Sequence, residues 1–160
     1  MADDRIFEDL KADHDRHRDL FARISESDPD SEERAQLFEA LRIELQAHAA
    51  AEEESLYATM LAKPDLRDEA RHSVSEHKEI DDFLGELVEA DPSSDAWAKT
   101  FKDLRHRYLH HIDEEEEEMF PAASKDLDDE TKARLAAVFE KRKPKELARA
   151  EEEQPGDARE

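Results

Sequence analysis

Two short segments of this chain carry residue types that bind cations. One reads HHIDEEEEEMFP, from His110 to Pro121; the other reads HAAAEEESLYATM, from His48 to Met60. Each holds a histidine followed four residues later by a glutamate, His48 with Glu52 and His111 with Glu115. On a helix that spacing places an imidazole nitrogen and a carboxylate oxygen one turn apart, within reach of a single cation. The segments align with one another at an offset of sixty-three residues: His48 falls on His111, Glu52 on Glu115, Leu56 on Met119 and Tyr57 on Phe120. The same offset relates His14 to His77, Leu41 to Leu104, Leu45 to Tyr108 and Asp28-Pro29 to Asp91-Pro92. A helix–break–helix unit therefore occurs twice, without a gap.

The spacing alone is cheap here. Five of the eight histidines have an acidic residue four positions on, because 46 of the 160 residues are Asp or Glu. Helical facing discriminates among them. His48 and Glu52 lie within ~40° of each other on a helix and share the arc of Leu41, Leu45 and Leu56; His111 and Glu115 share that of Leu104, Tyr108 and Met119. His110 is turned by ~100° toward Asp103 and His106, and His72 lies on a flank. Six side chains thus fall on core faces: His14, His48, Glu52, His77, His111 and Glu115. A carboxylate on a core face is costly unless it is paired or bound to a metal. The set predicts a metal site or, failing that, a dense buried hydrogen-bond network. Imidazole and carboxylate without thiolate suit iron, manganese or zinc; two carboxylates able to bridge favour two metals, and iron is the redox-capable choice. Glu-x-x-His, the signature of ferritin-like carboxylate sites, occurs once, at Glu69 and His72, off the core face. The other glutamates of the run read as a solvated face, with Glu114 the ligand in an alternative register led by His110.

The elements that must position these residues are helices. The chain has 2 Gly and 6% aromatic residues, a poor composition for a sheet. Apolar periodicity predicts helices over about 3–25, 31–61, 66–90 and 95–119, then a short fifth over about 129–142. The first has Ile6, Phe7, Leu10, Phe21 and Ile24 inward, with His14 and His17 on the same face. The third has Val74, Ile80, Leu84, Leu87 and Val88 inward. Breaks fall at Ser27-Asp28-Pro29-Asp30, Lys63-Pro64-Asp65 and Asp91-Pro92-Ser93-Ser94, with Asp30 and Glu33 a capping box. Pro121 ends or kinks the fourth helix. Two repeated hairpins facing each other make an all-α, up-down-up-down antiparallel four-helix bundle with a pseudo-two-fold repeat. The organisation expected is a bundle over residues 1–125, a short C-terminal helix over 126–143 packed on or beside it, and a flexible acidic tail over 144–160.

With its motifs in place, the chain resembles the hemerythrin-like, HHE-type cation-binding proteins, in their bacterial branch. The resemblance spans Ile6 to Pro121 and rests on four pieces: Lys11-Ala-Asp-His14 with Leu20-Phe21; His48-Ala-Ala-Ala-Glu52-Glu-Glu with Tyr57; Glu76-His77; and His110-His111-Ile-Asp-Glu-Glu115 with Met-Phe-Pro121. It implies a four-helix bundle around a non-haem, usually di-iron centre, with His14, His48, Glu52, His77, His111 and Glu115 as ligands and both glutamates bridging. Oxygen-carrying members place a further histidine where this chain has Ser73, and their last carboxylate is usually an Asp one residue further on. The metal site implied here is more open. His17 stands one turn from His14, as a core or hydrogen-bonding histidine or as a replacement ligand. Tyr108 shares the ligand face, whereas Tyr57 points away from it on a regular helix.

These readings lead to two non-haem iron ions, completed by oxo, hydroxo or water, that bind or react with dioxygen, peroxide or nitric oxide, as in an oxidative-stress response. An iron-handling or redox-sensing protein without turnover is the alternative, and a metal-free structural bundle a third. A net charge of −22 disfavours nucleic acid and anionic membranes as partners. The chain has no cysteine, which removes disulfides and thiolate ligands. No signal-peptide pattern or bilayer-length apolar run occurs, so a cytoplasmic location is expected.

Overall fold

A computed structural model describes residues 4–153, almost all of them helical. Helix α1 spans Arg5–Glu26. Helix α2 spans Glu32–Glu52, widens into one i→i+5 bonded turn at Glu53–Tyr57 and finishes at Ala58–Leu61. Helix α3 covers Arg67–Glu89. Helix α4 covers Asp95–Glu114, a second wide turn at Glu115–Met119 and a last segment, Phe120–Asp126. Helix α5 covers Asp129–Glu152. The first four form the up-down-up-down bundle, and α5 packs along α1 and α2.

Local chemistry sets the starts of the helices. Ser31 Oγ accepts from Arg34 N and Ser94 Oγ from Trp97 N, each at 3.1 Å, and both hydroxyls donate back to an aspartate carbonyl, of Asp28 and Asp91. The cap of α2 is therefore Ser31, not Asp30, and it obeys the sixty-three-residue repeat. Asp128 Oδ1 caps α5 by accepting from Thr131 N at 2.7 Å.

The buried apolar residues form two clusters. One gathers Phe21, Leu41, Leu84, Trp97, Phe101 and Leu104 with their neighbours. The other gathers Ile6, Leu10, Leu56, Met60, Phe120 and Phe139 with theirs. Between them lie the buried polar residues His14, His17, His48, Glu52, His77, His111 and Glu115. The hydrophobic core is thus cut across by a polar layer, enclosed by apolar side chains on both sides.

Three sequence-based expectations are corrected. Pro121 does not end α4: it sits in the first turn of the Phe120–Asp126 segment, directly after the wide turn, and the helix runs on to Asp126. Val88, expected inward, is 39% exposed, because its neighbour Leu87 takes the core position. The fifth helix does not stop near Arg142, and residues 144–152 are helix rather than tail. Pro144 lies inside it, at the cost of one backbone hydrogen bond. Contacts to α1 and α2 outweigh that cost: Leu135, Ala136, Phe139, Lys143, Glu146 and Ala150 are all buried. At its C-terminal end Arg42 Nη1 donates to the carbonyls of Ala150 and Glu153 at 3.0 and 2.9 Å. The remainder of the expected tail, 154–160, lies outside the described residues.

Candidate metal centre

The polar layer brings together all six side chains singled out by their facing. Glu52, His77, His111 and Glu115 offer ligand atoms within 4.8 Å of one another; His14, His48 and Glu52 do the same. Glu52 belongs to both groups. Glu115 Oε1 lies 2.7 Å from His111 Nε2 and 3.9 Å from His14 Nε2, while Glu52 Oε1 lies 3.4 Å from His48 Nε2 and 3.3 Å from His77 Nε2. None of the six is more than 3% exposed.

Hydrogen bonding sorts the ring nitrogens into two kinds. Every Nδ1 of the four histidines donates to a carboxylate: His14 to Glu116 at 2.7 Å, His48 to Asp13 at 2.8 Å, His77 to Glu53 and His111 to Glu76 at 2.9 Å. By contrast, the buried Nε2 atoms of His14, His48 and His111 make no hydrogen bond, and neither do the four carboxylate oxygens of Glu52 and Glu115. Buried polar atoms are nearly always satisfied, so a convergent group of unsatisfied ones marks a place for a ligand. A histidine held through Nδ1–H by a carboxylate, with Nε2 free, is the arrangement of a metal ligand.

The four orienting carboxylates were absent from the sequence-based site. They too obey the repeat: Asp13 falls on Glu76 and Glu53 on Glu116. The available signal was an acid immediately before His14 and His77 and immediately after Glu52 and Glu115. Glu116, placed with the solvated run, is instead the partner of His14. Glu117 is exposed as expected. His110 and Glu114 pair with each other at 3.0 Å on the outer face, His110 largely exposed, so the inward register is His111 and Glu115.

Electrostatics make the layer short of positive charge. Burial and the neighbouring Glu52 carboxylate push Glu115 well above the usual range. Glu52 is penalised by burial too, but Glu115, His48 and His77 hold it well below that range. Burial disfavours a charged His48, yet Glu52 and Asp13 together lift it to about 10. Burial lowers His14 to about 4. Without a cation, protons must stand between these carboxylates; a divalent ion fills the same requirement. The donor set of four imidazoles and two carboxylates, with its free atoms converging, fits non-thiolate transition metals.

The wide turns explain the aromatic positions. On a regular helix Tyr57, five residues after Glu52, would face away from it. The i→i+5 turn brings residues five apart nearly into line. Tyr57 is therefore fully buried, its ring 5.2 Å from that of His77, and its unbonded hydroxyl feels the charges of Glu115 and Glu52. Its repeat partner, Phe120, stacks on His14 with ring centroids 6.0 Å apart.

His17 has no free nitrogen. Its Nε2–H donates to Glu44 at 3.1 Å, which leaves Nδ1 to accept from the Tyr108 hydroxyl at 2.6 Å. Burial lowers it to about 3, consistent with that neutral tautomer. Lys143 of α5 completes the network by donating to Asp13 at 2.7 Å and Glu44 at 3.0 Å. The α1–α2 side of the centre is thereby closed. The α3–α4 side is not: a cleft of about 240 Å³, lined by His72, Ser73, Glu76, Glu114 and Met119 among others, reaches His111 and Glu115. Ser73 carries no nitrogen toward the centre, and its hydroxyl rests 3.9 Å from Met119 Sδ.

Comparison with known proteins agrees with this geometry. Residues 5–123 match the profile of the hemerythrin HHE cation binding domain. Among solved structures, the chain is similar to a hemerythrin HHE cation binding domain-containing protein, the Rv2633c homolog from Mycobacterium kansasii. The two share 25% identity with a TM-score of 0.71, over 94% of this chain and 99% of that one. Comparison with curated proteins gives no match. Among the described residues no helix is long and apolar enough to cross a membrane. The converging imidazoles and carboxylates, the repeat that builds them and the extent of the match lead to one conclusion: this chain belongs to the hemerythrin HHE cation-binding domain family.

Proposed function

We propose that the polar layer holds two non-haem iron ions and that the protein binds or reacts with a small oxidant or gas: dioxygen, peroxide or nitric oxide. The observation that carries this reading is the pair of ligand groups sharing Glu52, in which the Nε2 atoms of His14, His48 and His111 and all four oxygens of Glu52 and Glu115 are buried without a hydrogen-bond partner. His14 and His48 would hold one ion, His77 and His111 the other, with Glu52 and Glu115 spanning both. The iron pair would supply reversible one-electron chemistry toward a small oxygen- or nitrogen-containing ligand.

The chain's own contribution is orientation, exclusion and access. Asp13, Glu53, Glu76 and Glu116 fix each imidazole in the tautomer that turns Nε2 inward. The two apolar clusters keep bulk water from the layer. Tyr57 presents its hydroxyl beside both bridging carboxylates, where it can donate a hydrogen bond. The α3–α4 cleft admits molecules of a few atoms, and the place of Ser73 leaves the His111 side with fewer protein donors. A second reading, iron handling without turnover, is favoured by the same open, acidic cleft.

Metal analysis of freshly purified protein tests the first point: about two irons per chain are expected, with an absorption band from the bridged pair. Iron near zero after anaerobic ferrous loading would remove both iron readings. Rapid consumption of peroxide or nitric oxide then supports turnover, and ready loss of iron to a mild chelator supports handling.

A further inference from the structure

Outside the buried layer, a second group of metal-binding side chains stands at the mouth of the α3–α4 cleft. His72, Glu76 and Glu114 offer ligand atoms within 4.8 Å of one another. His72 Nε2 lies 3.4 Å from Glu76 Oε1 and 3.7 Å from Glu114 Oε2. Donors about 2.1 Å from a shared first-row cation stand roughly 3.4 Å apart when the ion is tetrahedral. The two distances from His72 are close to that spacing, and the Glu76 and Glu114 donors fall within 4.8 Å of each other. His110 Nε2 lies 3.0 Å from the other oxygen of Glu114, a fourth donor alongside. One cation is also near: Arg107 Nη1 approaches Glu76 Oε2 at 3.7 Å, leaving Oε1 to face His72.

Two further observations tie this group to the interior. The same cleft is lined by Glu115 and His111, each 1% exposed, whose site-facing atoms have no hydrogen-bond partner. Glu76 stands in both places: its Oε1 accepts from His111 Nδ1 at 2.9 Å and faces His72. Moreover, the repeat that duplicates the buried ligands and their orienting acids fails here. Where this half has His110, Glu114 and Glu118, the first half has Ala47, Ala51 and Ser55. Ala47, Ala51 and Ser55 are buried, whereas the α3–α4 mouth is open to solvent.

We infer that His72, Glu76 and Glu114 form an outer cation station that captures a hydrated divalent ion, ferrous iron for a di-iron centre, and passes it inward to His111 and Glu115. The inference rests on the buried layer being a metal centre. His72 and Glu114 are both accessible, so the station exchanges ligands with water readily. Glu76 marks the boundary between the outer and inner positions. The captured ion reaches the His77–His111 position before the His14–His48 position, which α5 shields.

The test is anaerobic ferrous loading of the full-length metal-free chain, followed by rapid mixing and by final iron content. In a His72→Ala/Glu114→Gln double variant, loading is expected to slow about tenfold or more, within the ~10 to 10³ range by which local charge focusing raises capture rates. Final iron content should equal wild type, because no buried ligand is altered. Glu117→Gln, an exposed change outside the cleft, controls for lost surface charge and should load at the wild-type rate. Zinc titration of the metal-free proteins should show one weaker ion in wild type that the double variant lacks. Loading of the double variant at the wild-type rate overturns the station while leaving the inner centre intact. A wild-type chain that takes up no iron overturns the centre and, with it, the delivery role.

Discussion

Lys143 offers a sharp test of how the fifth helix supports the centre. Its ammonium donates to Asp13 and Glu44, and through them it fixes His48 and the His17–Tyr108 pair. Asp13 is 3% exposed and Lys143 7%, so solvent screens this contact weakly. In Lys143→Met the two carboxylates stay behind without their cation. Breaking a buried pair in this way costs about 3–5 kcal/mol. Asp13 keeps His48 and Arg16, and Glu44 keeps His17, so a loss of about 2–3 kcal/mol is expected. That is a large part of the ~5–15 kcal/mol by which a domain is stable. Urea unfolding of the metal-free protein at pH 7 measures it, with the exposed Lys145→Met as the control. The pH dependence has a definite sign. Burial alone would raise Glu44, but His17 and Lys143 hold it at about 2, below the 4.5 of an unfolded glutamate. Its contribution is therefore complete above pH 4.5 and lost as pH falls toward 2. Lys143→Met should flatten that loss. Looser anchoring of His48 should also cost about tenfold in iron retention against a chelator. An unfolding midpoint and an iron retention both matching Lys145→Met would refute the reasoning, reducing Lys143 to an incidental contact.

Other outcomes follow from the same geometry. Glu115→Ala should lose far more iron than Glu117→Ala, read by elemental analysis; equal contents would sink the register. Glu53→Ala and Glu116→Ala free the Nδ1 of His77 and His14 and should each weaken metal binding by roughly 10- to 100-fold in competition with a chelator. His17 is held at about 3 by burial against an unfolded value near 6.5, so its contribution is lost as pH falls from 6.5 toward 3. His17→Gln should therefore reduce the slope of unfolding free energy against pH across that window in the metal-free protein. Ser94→Ala removes the α4 cap and should cost about 1 kcal/mol in denaturation with unchanged iron content.

Much of this protein was legible in its sequence, because a bundle writes its inward faces as a 3.6-residue periodicity and a duplication writes its symmetry as a constant offset. His48, Glu52, His111 and Glu115 could be separated from a crowd of other acids and histidines by facing alone. His14 and His77 joined them through the repeat, as did the two-hairpin topology. The orienting acids Asp13, Glu53, Glu76 and Glu116 were equally periodic. They read as surface because an acid beside a ligand faces solvent by the geometry of its own helix, until a neighbouring helix supplies the imidazole.

Only the tertiary structure decided the remainder. The wide turns after Glu52 and around Glu115 depend on hydrogen bonds one residue longer than the regular ladder. No composition signal announces them, yet they turn Tyr57 from the outside onto the site. The length of α5 depends on Arg42, Asp13 and Glu44, partners on other helices. Without them Pro144 and the acidic stretch read as a terminus. The same docking closes one side of the centre and leaves the α3–α4 side open. A linear chain records which residues face inward from their own helix; which outer face is covered is settled by where a later helix packs.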